Sequence, residues 1–161
     1  MTMPWETLFS LVNACALLGW IALVLLPRGE FVKSLIFYVG VGLLCAAYTL
    51  LLALLFTGTV DAGAQGQASD AGFGSISGVR ALFGSDGGVV TGWTHYIALD
   101  LFAGLWIARD ADAKGFSRLW QAPVLVLTFV AGPAGLLVWL VIRERAARRA
   151  FPRSTLKRPK L

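Results

Sequence analysis

Charge is what this chain has least of. Asp, Glu, Lys and Arg make up 14% of its 161 residues, where a soluble domain carries about 25%, so most of the chain has no need to face water. The shortage is concentrated in three places. No charged residue occurs from Phe9 to Leu26, from Ser34 to Val60, or from Leu119 to Ile142. Histidine occurs once, as His95, which excludes a histidine-rich metal site. The two cysteines, Cys15 and Cys45, lie inside apolar runs without metal-ligand spacing and read as small packing residues. Also missing are the period-two alternation of a half-buried strand, a Ser/His/Asp nucleophile arrangement, a glycine loop built to cradle phosphate and a dinucleotide fingerprint. Neither a metal nor a cofactor is expected.

What is present is hydrophobicity, at 57% of residues with a mean hydropathy of +0.72. A bilayer core about 30 Å thick needs roughly 20 apolar residues in a helix, and lipid admits only helices or closed barrels. The three charge-free runs therefore predict spanning helices over residues 5–26, 31–57 and 121–142. A fourth segment, 92–108, is apolar and aromatic but carries His95 and Asp100. It also reads as a span, since an intramembrane carboxyl is tolerated when it faces protein or water. The expected fold is all-α: a polytopic membrane protein with a four-helix transmembrane bundle over residues 1–142 and a basic tail over 143–161. Trp5 and Trp20 are expected as interfacial or lipid-facing aromatics, Pro123 in the first turn of the last helix, and Gly132-Pro133 as a mid-span kink.

The linker 58–91 holds nine of the 18 glycines. Within it Phe73, Ile76, Val79 and Phe83 recur at helical spacing, predicting a short interfacial helix with Arg80 on its polar side; the alternative is a loop with incidental apolar residues. The first run lacks a positive n-region and a small-residue cleavage site, and so reads as a retained helix. Eight of the 14 basic residues follow Ile142, which places the tail in the cytoplasm and, with four spans, the N-terminus as well. Five basic residues in the short loops, Arg28, Lys33, Arg109, Lys114 and Arg118, then lie on the wrong side and oppose the rule. The tail reads as a topology signal touching anionic lipids, not as a nucleic-acid site.

Candidate site residues fall on 92–110. Asp100 is the most informative, because an intramembrane carboxyl marks function by default; as a desolvated group it is expected as a neutral acid. The competing reading is a structural hydrogen bond to Tyr96, to Arg80 or to another helix. Tyr96, four residues away, shares its helix face. His95, five away, is displaced by about 140° and is not a natural partner; it is either a proton acceptor or a structural polar residue. Trp93, Phe102 and Trp106 supply aromatic surface for a lipophilic ligand. Asp110 and Asp112 read as helix-terminating, solvated carboxylates.

The segments SISGVRALF (75–83), GWTHYIALDLF (92–102), WIARD (106–110) and TFVAGPAGLLVWLVIR (128–143) resemble the abscisic-acid-deficient-4-like family of small membrane proteins. The likeness runs from the first helix to about Arg143 and leaves out the linker 58–71. It implies a link to carotenoids, since plant members are associated with forming neoxanthin from violaxanthin. The short N-terminus, without a transit peptide, points to a bacterial inner membrane. On this reading the protein binds or isomerises a carotenoid or related isoprenoid, with Asp100 as acid and His95 as base and with Tyr96, Arg80, Trp93, Phe102 and Trp106 holding the substrate. A non-catalytic scaffold that binds lipid or partner helices is the alternative. Whether the chain is an enzyme, and its oligomeric state, stay open.

Overall fold

The computed structural model describes residues 3–63 and 71–150, with side chains described up to Glu144. The middle of the expected linker and the basic tail from residue 151 lie outside the described residues. Among the described residues the protein is all-helical. Helix α1 is Trp5–Leu25 and α2 is Glu30–Phe56. A short α3, Ile76–Leu82, precedes α4, Asp86–Ala113. Then come α5, Arg118–Val130, and α6, Gly132–Ala150.

Helices α1 and α2 are long and apolar enough to cross a bilayer. Their ends follow from the sequence: Pro27 cannot continue α1, and Glu30 opens α2 in its first turn, where a carboxylate complements the helix dipole. In α2, Ile36–Val41 widens into a π-helical turn. Gly40 within it faces Leu101 of α4, and a Cβ there would come within 3.3 Å of that side chain.

Helix α4 is the spine. At 28 residues and 1.5 Å per residue it is about 42 Å long. It extends well beyond the expected 92–108, because Ser85 caps it by accepting a hydrogen bond from the Gly88 N–H at 3.1 Å. Contacts along α4 set the direction of its neighbours. Trp5 meets Gly87, the Trp93 indole donates to Asn13 at 3.0 Å, and Trp20 lies over Gly104 so closely that a Cβ would sit 2.4 Å from its ring. Helix α1 therefore runs parallel to α4. Leu55 of α2 meets Gly87 and Gly40 meets Leu101, so α2 runs antiparallel. Trp5 and Trp20 are buried core residues at 7% and 5% exposure, not the lipid-facing aromatics expected. The indole N–H of Trp5 is satisfied by the Asp61 carbonyl.

The C-terminal third departs from the expected single helix over 121–142. The chain breaks at Ala131, whose φ of −150° and ψ of 76° are non-helical, and reverses. Gln121 of α5 donates to Asp112 at 2.9 Å, and Val130 at its other end faces Tyr96. Helix α5 thus descends along α4 from its end to its middle. Gly132 of α6 then touches Asp100, while Trp139 donates to Asp110 at 3.1 Å and Arg143 pairs with Asp110 at 2.8 Å. Helix α6 returns to the end from which α5 came. With 13 residues, α5 is about 20 Å long and cannot cross a core of about 30 Å. The expected mid-span kink at Gly132-Pro133 is a full reversal, and Pro123 lies in the second turn of α5, not the first. Thr128 and Gly135 pack at the crossing of the two arms, where a Cβ on Gly135 would lie 2.2 Å from the threonine hydroxyl oxygen.

Candidate functional site

At the end of α4 shared by both short connections, polar groups close on one another. Arg28 is 7% exposed. Its Nε donates to the Leu23 carbonyl at 2.8 Å, and its Nη1 reaches Asp112 at 3.3 Å and the Gln121 side-chain oxygen. Burial pushes the guanidinium down from its usual range, with Asp112 opposing; arginine still keeps its charge. Lys33 lies 3.5 Å from Asp112. Asp110 receives Lys114, Trp139 and Arg143. Burial alone would raise that carboxyl, but these donors and cations together hold it below the ordinary carboxylate range. Arg143 also lies over the Trp106 ring, 5.6 Å from its centroid. Asp110 and Asp112, expected as solvated helix ends, are instead the hubs that fasten the α5–α6 hairpin to α1, α2 and α4. Sequence reading missed this role because all of the partners but Lys114 come from other elements of the chain, α2, α5, α6 and the turn after α1.

The middle of α4 is different. A cavity of about 530 Å³ opens between α1, α4 and the hairpin tip. Its inner wall is Ala16, Trp20, Ile97 and Asp100, all at 9% exposure or less. Its rim is Leu17, Trp93, Phe129 and Val130, exposed at 36% or more. The rings form one aromatic surface: Trp93 lies 5.4 Å from Tyr96, and Phe129 packs edge-on against Trp20 at 5.5 Å.

Asp100 stands at the back of this cavity, 7% exposed. Its Oδ1 presses on Gly132, where a Cβ would lie 1.8 Å away, so only glycine lets the hairpin turn at this place. The Tyr96 hydroxyl lines the cavity beside the Asp100 carboxyl and donates to the Val130 carbonyl oxygen at 3.5 Å. Asp100 Oδ2 is buried without a hydrogen-bond partner. Leaving such an atom unpaired costs roughly 1–3 kcal/mol, so it is a feature that asks for a ligand.

The candidate residues divide by helix face. Trp93, Tyr96 and Asp100 line the cavity together, as their spacing of three and four residues requires. His95 points the other way, exposed, with its ring 5.1 Å from that of Tyr48 on α2. The expected pairing of Asp100 as acid with His95 as base is therefore corrected: the two do not meet. Arg80 is exposed on α3, Phe102 lies against Phe37, and Trp106 lies under Arg143; none of the three lines the cavity. Seven lining residues escaped the sequence reading: Asn13, Ala16, Leu17, Trp20, Ile97, Phe129 and Val130. Asn13, which accepts from the Trp93 indole at 3.0 Å and donates to the Phe9 carbonyl at 2.7 Å, is the one amide in the first apolar run and was the available signal. Phe129 has no such signature. Among the described residues no cluster of three or more His, Cys, Asp or Glu side chains is placed to hold a metal ion.

No curated protein and no solved structure matches this chain. Residues 7–139, however, match the family described as ABA DEFICIENT 4-like. That span takes in every residue of the cavity and the whole hairpin turn, and the protein belongs to the ABA DEFICIENT 4-like family.

Proposed function

We propose that this protein is a membrane-embedded site for a carotenoid or related oxygenated isoprenoid, and that Asp100 is the group that engages the ligand's oxygen. The observation that carries this reading is Asp100, with an unpartnered Oδ2, at the back of an aromatic cavity, in a family that the resemblance above links to xanthophylls. Converting an epoxide to an allenic alcohol is an isomerisation: one proton is added to oxygen and one is lost from carbon. Asp100 in its acid form supplies the first as the C–O bond opens. The resulting carboxylate, held by the Tyr96 hydroxyl, accepts the second. One carboxyl with a tyrosine beside it thus closes the proton balance without His95.

A non-catalytic carrier or scaffold is favoured by a specific observation as well: Asp100 and Tyr96 are the only titratable side chains among those lining the cavity. The two readings separate in a carotenoid-producing host with and without the gene. A changed pigment profile supports the isomerase. An unchanged profile with pigment co-purifying supports the carrier. Neither a change nor bound pigment, with the protein present in the membrane, contradicts both.

The same proposal covers topology. Arg28, Lys33, Arg109, Lys114, Arg118 and Arg143 gather at one end of the bundle. Seven more basic residues follow Arg143 in sequence, and only Arg80 belongs to the opposite end. The positive-inside rule then makes the basic end cytoplasmic. Helices α1, α2 and α4 cross, the hairpin is re-entrant, and the N-terminus lies on the non-cytoplasmic face. This replaces the expectation of four spans with both termini inside, and the five basic residues that opposed the rule now obey it. A bacterial inner membrane is the setting proposed.

A further inference from the structure

The hairpin reaches only as far as Asp100, and this decides where the cavity opens. Asp100 lies 14 residues from Asp86 and 13 from Ala113, about 20 Å from either end of α4. Between Asp100 and the cytoplasmic end, the two arms of the hairpin cover α4: Gln121 meets Asp112, Trp139 meets Asp110, and Phe116 packs on Trp139 at 5.3 Å. Beyond the hairpin tip that face is left open by the described residues. Val89 and Trp93 of α4 are exposed there at 44% and 39%, and Leu17 on α1 and Val130 at the tip itself at 49% and 68%. The cavity therefore has a closed cytoplasmic wall and an open side facing lipid, in the half of the membrane that the hairpin does not reach.

We infer that this opening is a lateral portal into the non-cytoplasmic leaflet, through which an elongated apolar molecule enters with an uncharged oxygen leading. This rests on the isoprenoid reading above and adds the side and the orientation. Three observations fix the occupant. The inner wall includes one carboxyl, Asp100, with an oxygen that has no hydrogen-bond partner, which matches a single hydroxyl, carbonyl or ether oxygen. The walls are aromatic: Trp20, Trp93, Tyr96 and Phe129. The site is at mid-depth with no cationic side chain in its lining, so a phospholipid headgroup would have to leave water and bury its charge without a counter-ion, at high cost. The oxygen thus sits against Asp100 near the bilayer centre, and the apolar body lies along Trp93 toward the non-cytoplasmic surface. The polar contact of Trp93 with Asn13 holds the indole at the rim as a positioning residue.

Two measurements on the full-length protein test this, and they fail separately. In a Cys15→Ala, Cys45→Ala background, single cysteines are introduced as Thr59→Cys, Ser117→Cys and Lys160→Cys. Intact cells are then treated with a membrane-impermeant maleimide. Thr59→Cys is expected to label; Ser117→Cys and Lys160→Cys are expected to label only after the membrane is opened. If positions 117 and 160 fall on opposite sides, the hairpin crosses the membrane and the portal is overturned. If position 59 is cytoplasmic, the leaflet assignment is overturned. The second measurement is retinol binding, read by its fluorescence, with squalene as the oxygen-free competitor, on purified protein in nanodiscs. Leu17→Trp, at the rim, is expected to weaken retinol by about tenfold. Leu18→Trp, exposed at 67% on the same helix but outside the cavity lining, is expected to leave it unchanged, and squalene is expected not to compete. Unaltered retinol binding in Leu17→Trp overturns the portal. Absence of retinol binding in every form, with the labelling as expected, counts against the isoprenoid reading itself and leaves the topology standing.

Discussion

Three carboxylates of α4 face the protein interior or its partners, and they live in two different worlds. Asp110 and Asp112, at the C-terminal end of α4, are surrounded by Lys114, Arg143, Arg28 and Lys33, with Trp139 and Gln121 completing their hydrogen bonds. Asp100, a few turns away, has a tyrosine hydroxyl and an oxygen with no partner. The first region is rich in cations and fastens helices together. The second has no cation and lines a cavity. In a membrane protein a carboxyl that is not tied down by cations is the one to suspect of handling a ligand.

The cation-rich region breaks hardest when its buried cation is removed. Arg28→Met leaves the Leu23 carbonyl and the Gln121 side-chain oxygen without their donor, while Asp112 keeps Lys33 and the Gln121 amide; it is expected to cost about 3 kcal/mol, measured as a lowered unfolding midpoint in detergent, and a change under about 0.5 kcal/mol would mean the cluster is ornamental. Next comes the joint between the regions. Gly132→Ala places a Cβ where Asp100 Oδ1 now lies and is expected to cost about 1–3 kcal/mol while also lowering retained lipid. Alanine at Gly29, where a Cβ meets nothing within 4 Å, is the silent control.

Acid sharpens the contrast. The Asp110 carboxyl is held below its ordinary range in the folded protein. Its contribution to stability is therefore fully present above the unfolded-state value of about 3.9 and is lost as pH falls through the lower folded value. Asp110→Asn should flatten the acid limb of the stability curve, and an unchanged limb would show that Asp110 is not linked to folding. The smallest effect is expected at His95. His95→Ala removes an exposed ring tilted against Tyr48 and should shift stability by no more than about 0.5 kcal/mol, with bound lipid unchanged. Loss of ligand there would restore the acid–base pair that the geometry separates.

Much of the fold was legible. The ends of α1 and α2 are written in Pro27, Arg28 and Glu30, and the short α3 in the spacing of Ile76, Val79 and Phe83. The extra length of α4 was not, because hydropathy is blind to polar helical turns such as Asp86–Gly88 and Asp110–Ala113. The hairpin was hidden for a deeper reason. A charge-free run from Leu119 to Ile142 is as long as one span, and two half-length arms have the same composition as one whole helix. The clue was electrostatic: a fourth crossing put Arg28, Lys33, Arg109, Lys114 and Arg118 on the wrong face, and the topology proposed from the reversal at Ala131 removes the conflict. At the site, Trp93, Tyr96 and Asp100 converge as their helical spacing dictates. Arg80, Phe102 and Trp106 were chosen for residue type without regard to face, and they lie elsewhere. Asn13 and Phe129 come from other helices, whose register against α4 only the packed structure supplies.

The most direct test of the account compares Asp100→Asn and Asp100→Leu with the unaltered protein, by mass spectrometry of lipids retained after purification alongside the unfolding midpoint of each form. Asparagine keeps the shape and most of the hydrogen bonding but has no proton to give. The account predicts that Asp100→Asn unfolds within about 0.5 kcal/mol of the parent and has lost an oxygenated isoprenoid that the parent retains. An Asp100→Asn protein that keeps the same lipids, beside an Asp100→Leu protein that folds poorly, would contradict it and reduce Asp100 to a structural hydrogen bond at the hairpin tip.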